Sequence, residues 1–157
     1  MMELADTSAW TNRAKDPRVR EAFDRLVEAG EIATCPMVRL ELLWTARDQE
    51  AFIALRDELD GLEEVPIDAA VWDRAIDVFG LLAARGPLHH RQVKLPDLLI
   101  AAAAELADMP VLHYDRDFEV IAAVTRQPVR AIASLGSLSP PRRGVDQPAS
   151  RPSRRRA

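Results

Sequence analysis

Apolar and polar positions along this chain alternate between two rhythms. Val19, Ala22, Phe23, Leu26 and Val27 fall at the spacing of one helix face, and Gly30 suits the end of that helix. Short apolar runs lie between such stretches: residues 3–6, 31–34, 110–114 and 129–132 read as strands, and 64–67 as a further brief one. Pro36 suits a first helical turn, where its missing N–H would be unpaired anyway, and the helix it opens is expected to run about to Arg47. Phe52, Leu55 and Leu59 mark another helix, closed by Gly61. Asp68 has the place of an N-cap before Val71, Ala75, Val78, Phe79 and Leu82, and Gly86-Pro87 breaks that pattern. Leu95-Pro96-Asp97 opens LLIAAAAELA, which is apolar nearly all round and so is expected to be buried on every side. Residues 116–124 complete the set as a short helix. Strands that alternate with helices predict an α/β domain with a mainly parallel sheet.

On that frame the acids fall in telling places. Asp6 ends the first strand, and Asp115 follows the strand at 110–114, with Asp117 two residues on. In an open parallel sheet, sites form in the crevice outside the carboxyl ends of the strands. Glu41 lies within the apolar helical stretch MVRLELLW, and Asp97 in the first turn of the most apolar helix. Carboxylates in apolar surroundings are costly unless they are paired or bind a metal. Each acid also has a structural alternative: Asp6 as the cap of the turn after it, Asp97 as a helix-dipole acid, Asp115 or Asp117 as an N-cap, and Glu41 as partner of a buried Arg39 or Arg91. Together, however, four acids at one sheet end would repel one another, and a divalent cation removes the conflict. With only carboxylates on offer, the ion expected is Mg²⁺ or Mn²⁺, which suits phosphodiester hydrolysis.

Composition narrows the class. The chain has 157 residues, 48% of them hydrophobic and 29% charged, which fits one domain with a real core. No apolar run approaches the roughly 18 residues that cross a membrane, and the first ten residues lack the pattern of a secretory signal, so a cytoplasmic location is expected. Cys35 is the single cysteine, which excludes an intrachain disulfide and a cysteine-rich zinc site. The net charge of −4 hides an asymmetry. Residues 139–157 carry six Arg and one acid, with four Pro, while residues 1–138 have a net charge of −9. Two segments are therefore expected: a domain over 1–138 and a disordered, Arg/Pro-rich tail over 139–157 that could attract nucleic acid non-specifically or serve only as a solubilising extension.

The segments ADTSAW (5–10), RLELLW (39–44), KLPDLLIAAAAE (94–105) and HYDRDFEVIA (113–122) resemble, in this order, the four motifs of PIN-domain ribonucleases. The likeness spans about residues 3–135 and is strongest to VapC toxins. It implies a three-layer α/β/α fold and Mg²⁺-dependent endonucleolytic cleavage of RNA, often tRNA or ribosomal RNA. It also implies a homodimer held inactive by a cognate antitoxin. By position, the resemblance makes Asp6, Glu41, Asp97 and Asp115 the metal-binding acids, with Ser8 and Asp117 as auxiliaries. His113-Tyr114 departs from the pair common before the last acid, which bears on substrate contacts.

Several polar and aromatic residues lie outside these motifs. His89, His90, Arg91 and Lys94 precede the Leu-Pro-Asp helix, and His90, Arg91 and Lys94 are candidates for RNA phosphate contacts, or else part of a solvated loop. Trp10, Trp44 and Trp72 are expected in the core or a dimer interface. Two other functions fit the residues: a non-catalytic PIN-like module that binds RNA or protein, and a carboxylate-metal phosphatase using the Asp115-Arg116-Asp117 run.

Overall fold

The computed structural model describes residues 1–138; the expected tail over 139–157 lies outside the described residues. Five short strands form one sheet: β1 (Glu3–Ala5), β2 (Ile32–Thr34), β3 (Glu63–Glu64), β4 (Val111–His113) and β5 (Val129–Ala131). Their order is β3-β2-β1-β4-β5, and every pairing is parallel, with Leu4 registered on Ala33 at one side and on Val111 at the other. Seven α-helices cover the sheet: α1 (Thr7–Asn12), α2 (Pro17–Glu28), α3 (Pro36–Leu43), α4 (Gln49–Asp60), α5 (Ala69–Ala83), α6 (Leu95–Leu106) and α7 (Arg116–Thr125). The result is the α/β/α arrangement expected of the alternating pattern.

Strand alternation decides which helix meets which face. Leu112 turns toward α2, where Val19, Phe23 and Leu26 line a small cavity with it. His113 turns the other way and lies against Phe118 of α7, with ring centroids 5.3 Å apart. Helix α6 carries an unbroken buried run from Asp97 to Ala104, as its all-round apolar sequence required. Its alanines let neighbouring elements approach closely, and Arg74 of α5 bonds both carboxylate oxygens of Glu105 at 2.8 Å.

Helix ends follow local chemistry. The side chains of Asp16, Asp48 and Asp68 each accept a bond from a backbone N–H of the first turn they cap. Gly30, at φ +66°, closes α2 with the left-handed geometry that glycine adopts without penalty, while Glu31 N–H bonds back to Leu26 O at 2.9 Å.

Two expectations differ from the structure, and a third is narrowed by it. Helix α1 directly after β1 was expected only as a turn; Asp6 caps it. Helix α3 ends at Leu43 rather than near Arg47, because the Thr45 hydroxyl and backbone N–H both turn back to Leu42 O, at 2.6 and 3.0 Å. Trp10 joins the core against Phe23, but Trp44 is 88% exposed and Trp72 is also exposed, so neither is a core residue of this chain.

Candidate active site

The sheet order changes direction between β1 and β4: β1 leads to β2 on one side, while the strand on its other side comes late in the chain. At such a switch point the connections leave to opposite sides and open a crevice at the carboxyl ends of the strands. Asp6 follows β1 and Asp115 lies just beyond β4, so both stand at that crevice. Helix α6, which leads into the far end of β4, starts at the crevice and brings Asp97 in its first turn. Helix α3, which follows β2, brings Glu41.

Each acid is held by a distinct partner. Asp6 is 3% exposed; its Oδ2 accepts the backbone N–H of Ser8 at 2.8 Å and the Ser8 hydroxyl at 2.5 Å. Ser8 Oγ in turn accepts the N–H of Tyr114 at 2.8 Å, so one hydroxyl ties the end of β1 to the end of β4. The Thr7 hydroxyl donates to Glu41 Oε2 at 2.6 Å. Arg39 does not pair with Glu41; it binds Asp60 and Glu64 instead. Asp115 caps α7, accepting the N–H of Asp117 at 3.1 Å.

Carboxylate oxygens of Asp97, Asp115 and Asp117 lie within 4.8 Å of one another. The other two acids extend this cluster. The charge of Asp6 acts on Asp97, and that of Glu41 acts on Asp6. Asp117, expected as an auxiliary, thus stands in the closest group of oxygens, which includes neither Asp6 nor Glu41.

The electrostatics follow. Asp97 is 6% exposed. Burial, then the charge of Asp6, pushes its carboxyl up to about 8 against the opposing pull of Lys94. Burial likewise raises Asp6 above its ordinary range, although the Ser8 bonds oppose this. Asp115 goes the other way: burial favours its neutral form, but the Lys94 ammonium and the Asp117 N–H together outweigh burial and hold it below the usual carboxylate range. Lys94 Nζ lies 2.5 Å from Asp115, 3.2 Å from Asp117 and 3.5 Å from Asp97.

The remaining sequence candidates are dispersed. His90 lies in a short 3-10 turn (His89–Gln92) and packs edge-on against Phe79, with its Nδ1 buried. Arg91 in the same turn is exposed. His113 is fully buried; burial lowers its pKa, and its Nδ1 accepts the N–H of Asp115 at 3.2 Å. The Tyr114 hydroxyl accepts the N–H of Leu138 at 2.8 Å. This pair therefore braces the chain around Asp115.

The sequence matches the pattern of the PIN-domain family over residues 4–124. It is 44% identical to Ribonuclease VapC18 of Mycobacterium tuberculosis over 138 residues, covering 88% of this chain and all of that one. The chain belongs to the PIN-domain family. Ribonuclease VapC21 of the same species is also 44% identical, over 85% of this chain and 96% of its own. The fold agrees. A DNA-bound VapBC complex from Salmonella typhimurium contains a chain that superposes with a TM-score of 0.65 at 19% identity, covering 85% of this chain and all of that one. A chain of VapBC-5 from Mycobacterium tuberculosis superposes at 0.53 with 23% identity, over 83% and 96%.

Within this PIN domain, two residues have roles that sequence reasoning missed. Thr7 was passed over in the Asp-Thr-Ser run, although it is the hydroxyl that holds Glu41. Lys94, a candidate for RNA contact or a solvated loop by sequence, places its ammonium among the carboxylates. A lysine placed three residues before a buried aspartate on a helix start was the available signal.

Proposed function

We propose that this chain is a divalent-metal-dependent endoribonuclease that hydrolyses phosphodiester bonds in RNA as the toxin of a toxin–antitoxin pair. The observation that carries the reading is the row Glu41, Asp6, Asp97, Asp115 and Asp117 at the switch point of a PIN-domain sheet. The 44% identity to proteins named as VapC ribonucleases supports it.

The donor set fits a hard divalent ion. Every candidate ligand is a carboxylate oxygen, and Asp97 is buried where an ionised carboxylate needs a cation. Asp6, Asp97 and Asp115 would hold Mg²⁺ or Mn²⁺, with Glu41 and Asp117 beside them. The ion, when bound, supplies an activated water and neutralises charge on the scissile phosphate. The chain's own residues do the positioning. Ser8 fixes the Asp6 carboxylate, Thr7 fixes Glu41, and the capping bond to the Asp117 N–H aims Asp115. The carboxylates of this row would accept hydrogen bonds and a proton from an attacking water.

A non-catalytic binding module has little use for a row of acids facing a polyanion. The phosphatase alternative is displaced by membership of the PIN-domain family, and no helix of the described residues is long and apolar enough to span a membrane. The RNA cut is expected to be a tRNA or ribosomal RNA, the partner a small antitoxin, the active form a homodimer and the compartment the cytoplasm. The decisive experiment incubates purified protein with RNA and Mg²⁺ or Mn²⁺, then adds EDTA. Cleavage is expected to stop with EDTA and to be absent in Asp97→Asn; full activity in EDTA would end this reading.

A further inference from the structure

The ammonium of Lys94 reaches two of the acids assigned to the metal and the Asp117 beside them, at 2.5 Å from Asp115 Oδ2, 3.5 Å from Asp97 Oδ2 and 3.2 Å from Asp117 Oδ2. A divalent ion bound to the same oxygens would stand close to that ammonium, and two cations so near repel strongly. The backbone gives Lys94 a second, separate tether: its N–H donates to Asp117 Oδ2 at 3.0 Å. Its side chain is 60% exposed and lies at the rim rather than beneath the cluster. The main chain is therefore anchored to the site while the four-carbon stem is free to swing outward.

Resting on the metal-centre reading above, we propose that Lys94 is a built-in counter-cation of the carboxylate centre, which neutralises the acids in the metal-free protein and must leave them for the divalent ion to enter. Lys94 thereby sets the metal concentration at which the enzyme loads. Its direct effects are on metal affinity and on the stability of the metal-free fold. Arg39 and Arg74 do not share this role, since both are committed to acids elsewhere. A cation that must vacate a site lowers apparent affinity by the fraction of molecules in which it has done so; if the site is open in about one molecule in ten, the reduction is roughly tenfold.

The test is Mn²⁺ binding to the full chain, followed by calorimetry and by the loss of the free-ion electron spin resonance signal. It compares wild type, Lys94→Met, Lys94→Arg and Asp97→Asn, with folding checked by circular dichroism. Lys94→Met is expected to bind Mn²⁺ about tenfold more tightly than wild type, and to melt lower than wild type without metal but not with saturating Mn²⁺. Lys94→Arg, which keeps the charge, is expected to stay near wild type in affinity. If wild type binds Mn²⁺ in an Asp97-dependent way and Lys94→Met binds no more tightly, the counter-cation role is wrong and the metal centre stands. If neither wild type nor Lys94→Met binds Mn²⁺, the metal centre itself is wrong and the role of Lys94 falls with it.

Discussion

Ser8 shows how much one hydroxyl can organise. It donates to Asp6 and accepts from Tyr114 N–H, so Ser8→Ala removes a bond from a buried carboxylate and leaves a backbone donor unpaired. A loss of about 1–3 kcal/mol of stability is expected from such a change, measurable by urea unfolding, together with a larger fall in cleavage than the stability loss explains. Asp97 makes a prediction about pH. Its carboxyl is raised from 3.8 to about 8, so the folded protein binds a proton there that the unfolded chain releases. Stability from this group is therefore present at low pH and is lost as pH rises from about 4 to about 8. Asp115 is shifted downward, and its contribution fades in the opposite direction, on acidification. Thermal melts of EDTA-treated protein should show a decline in Tm between pH 5 and 8 that Asp97→Asn flattens. An unchanged slope in that variant would mean that Asp97 ionises as it does in water.

Elements position these residues through their ends. Asp6, Asp97 and Asp115 all lie at helix starts, where free N–H groups favour negative charge, yet only Asp6 and Asp115 act as caps. Asp97 sits inside the first turn of α6 and, unlike Asp6 with its Ser8 bonds, accepts no backbone N–H that would offset burial and the charge of Asp6, so its carboxyl is pushed up to about 8. Asp68 offers a control at the same scale. It caps α5 by accepting the Val71 N–H at 3.1 Å and takes no part in the acidic row. Asp68→Ala should cost about 1 kcal/mol by chemical denaturation while leaving the cleavage rate per folded molecule unchanged.

Outside the crevice, several exposed apolar side chains of the described residues gather around one groove. Trp72, Ile76 and Leu95 are exposed around a groove of about 250 Å³ whose floor includes Met37, Phe79 and Leu99. Exposed apolar surface gathered in one place marks association. Light scattering should give about twice the 17.5 kDa chain mass, and Ile76→Glu should shift the protein toward the monomer if this groove forms the contact. An unchanged dimer in that variant would move the interface elsewhere. Binding of Mg²⁺ should raise Tm in proportion to the logarithm of its concentration above Kd, since the ion binds only the folded site. In cells, expression alone should arrest growth, and Asp6→Ala, or co-expression of a cognate antitoxin, should relieve the arrest. Growth of cells that accumulate soluble, folded wild-type protein would count against the toxin role.

Much of this was legible without a structure. Helix periodicity, the caps at Asp68 and Gly30, the buried run of α6 and the places of the strands along the chain follow from side-chain size, φ preference and apolar spacing, all of which are local. The acids could be singled out for the same reason: a carboxylate in an apolar segment is costly wherever the segment goes. Other features depend on what comes together across the sheet, and no local signal carries that. Thr7 meets Glu41 across 34 positions and Ser8 meets Tyr114 across 106. Trp44 was apolar by pattern but is exposed, as is Leu40 one helical turn before it. The place of Asp117 among the closest oxygens and the reach of Lys94 into them were likewise decided by tertiary structure. Charges act through space, and only the parallel order β2-β1-β4 carries these residues to one end of the molecule.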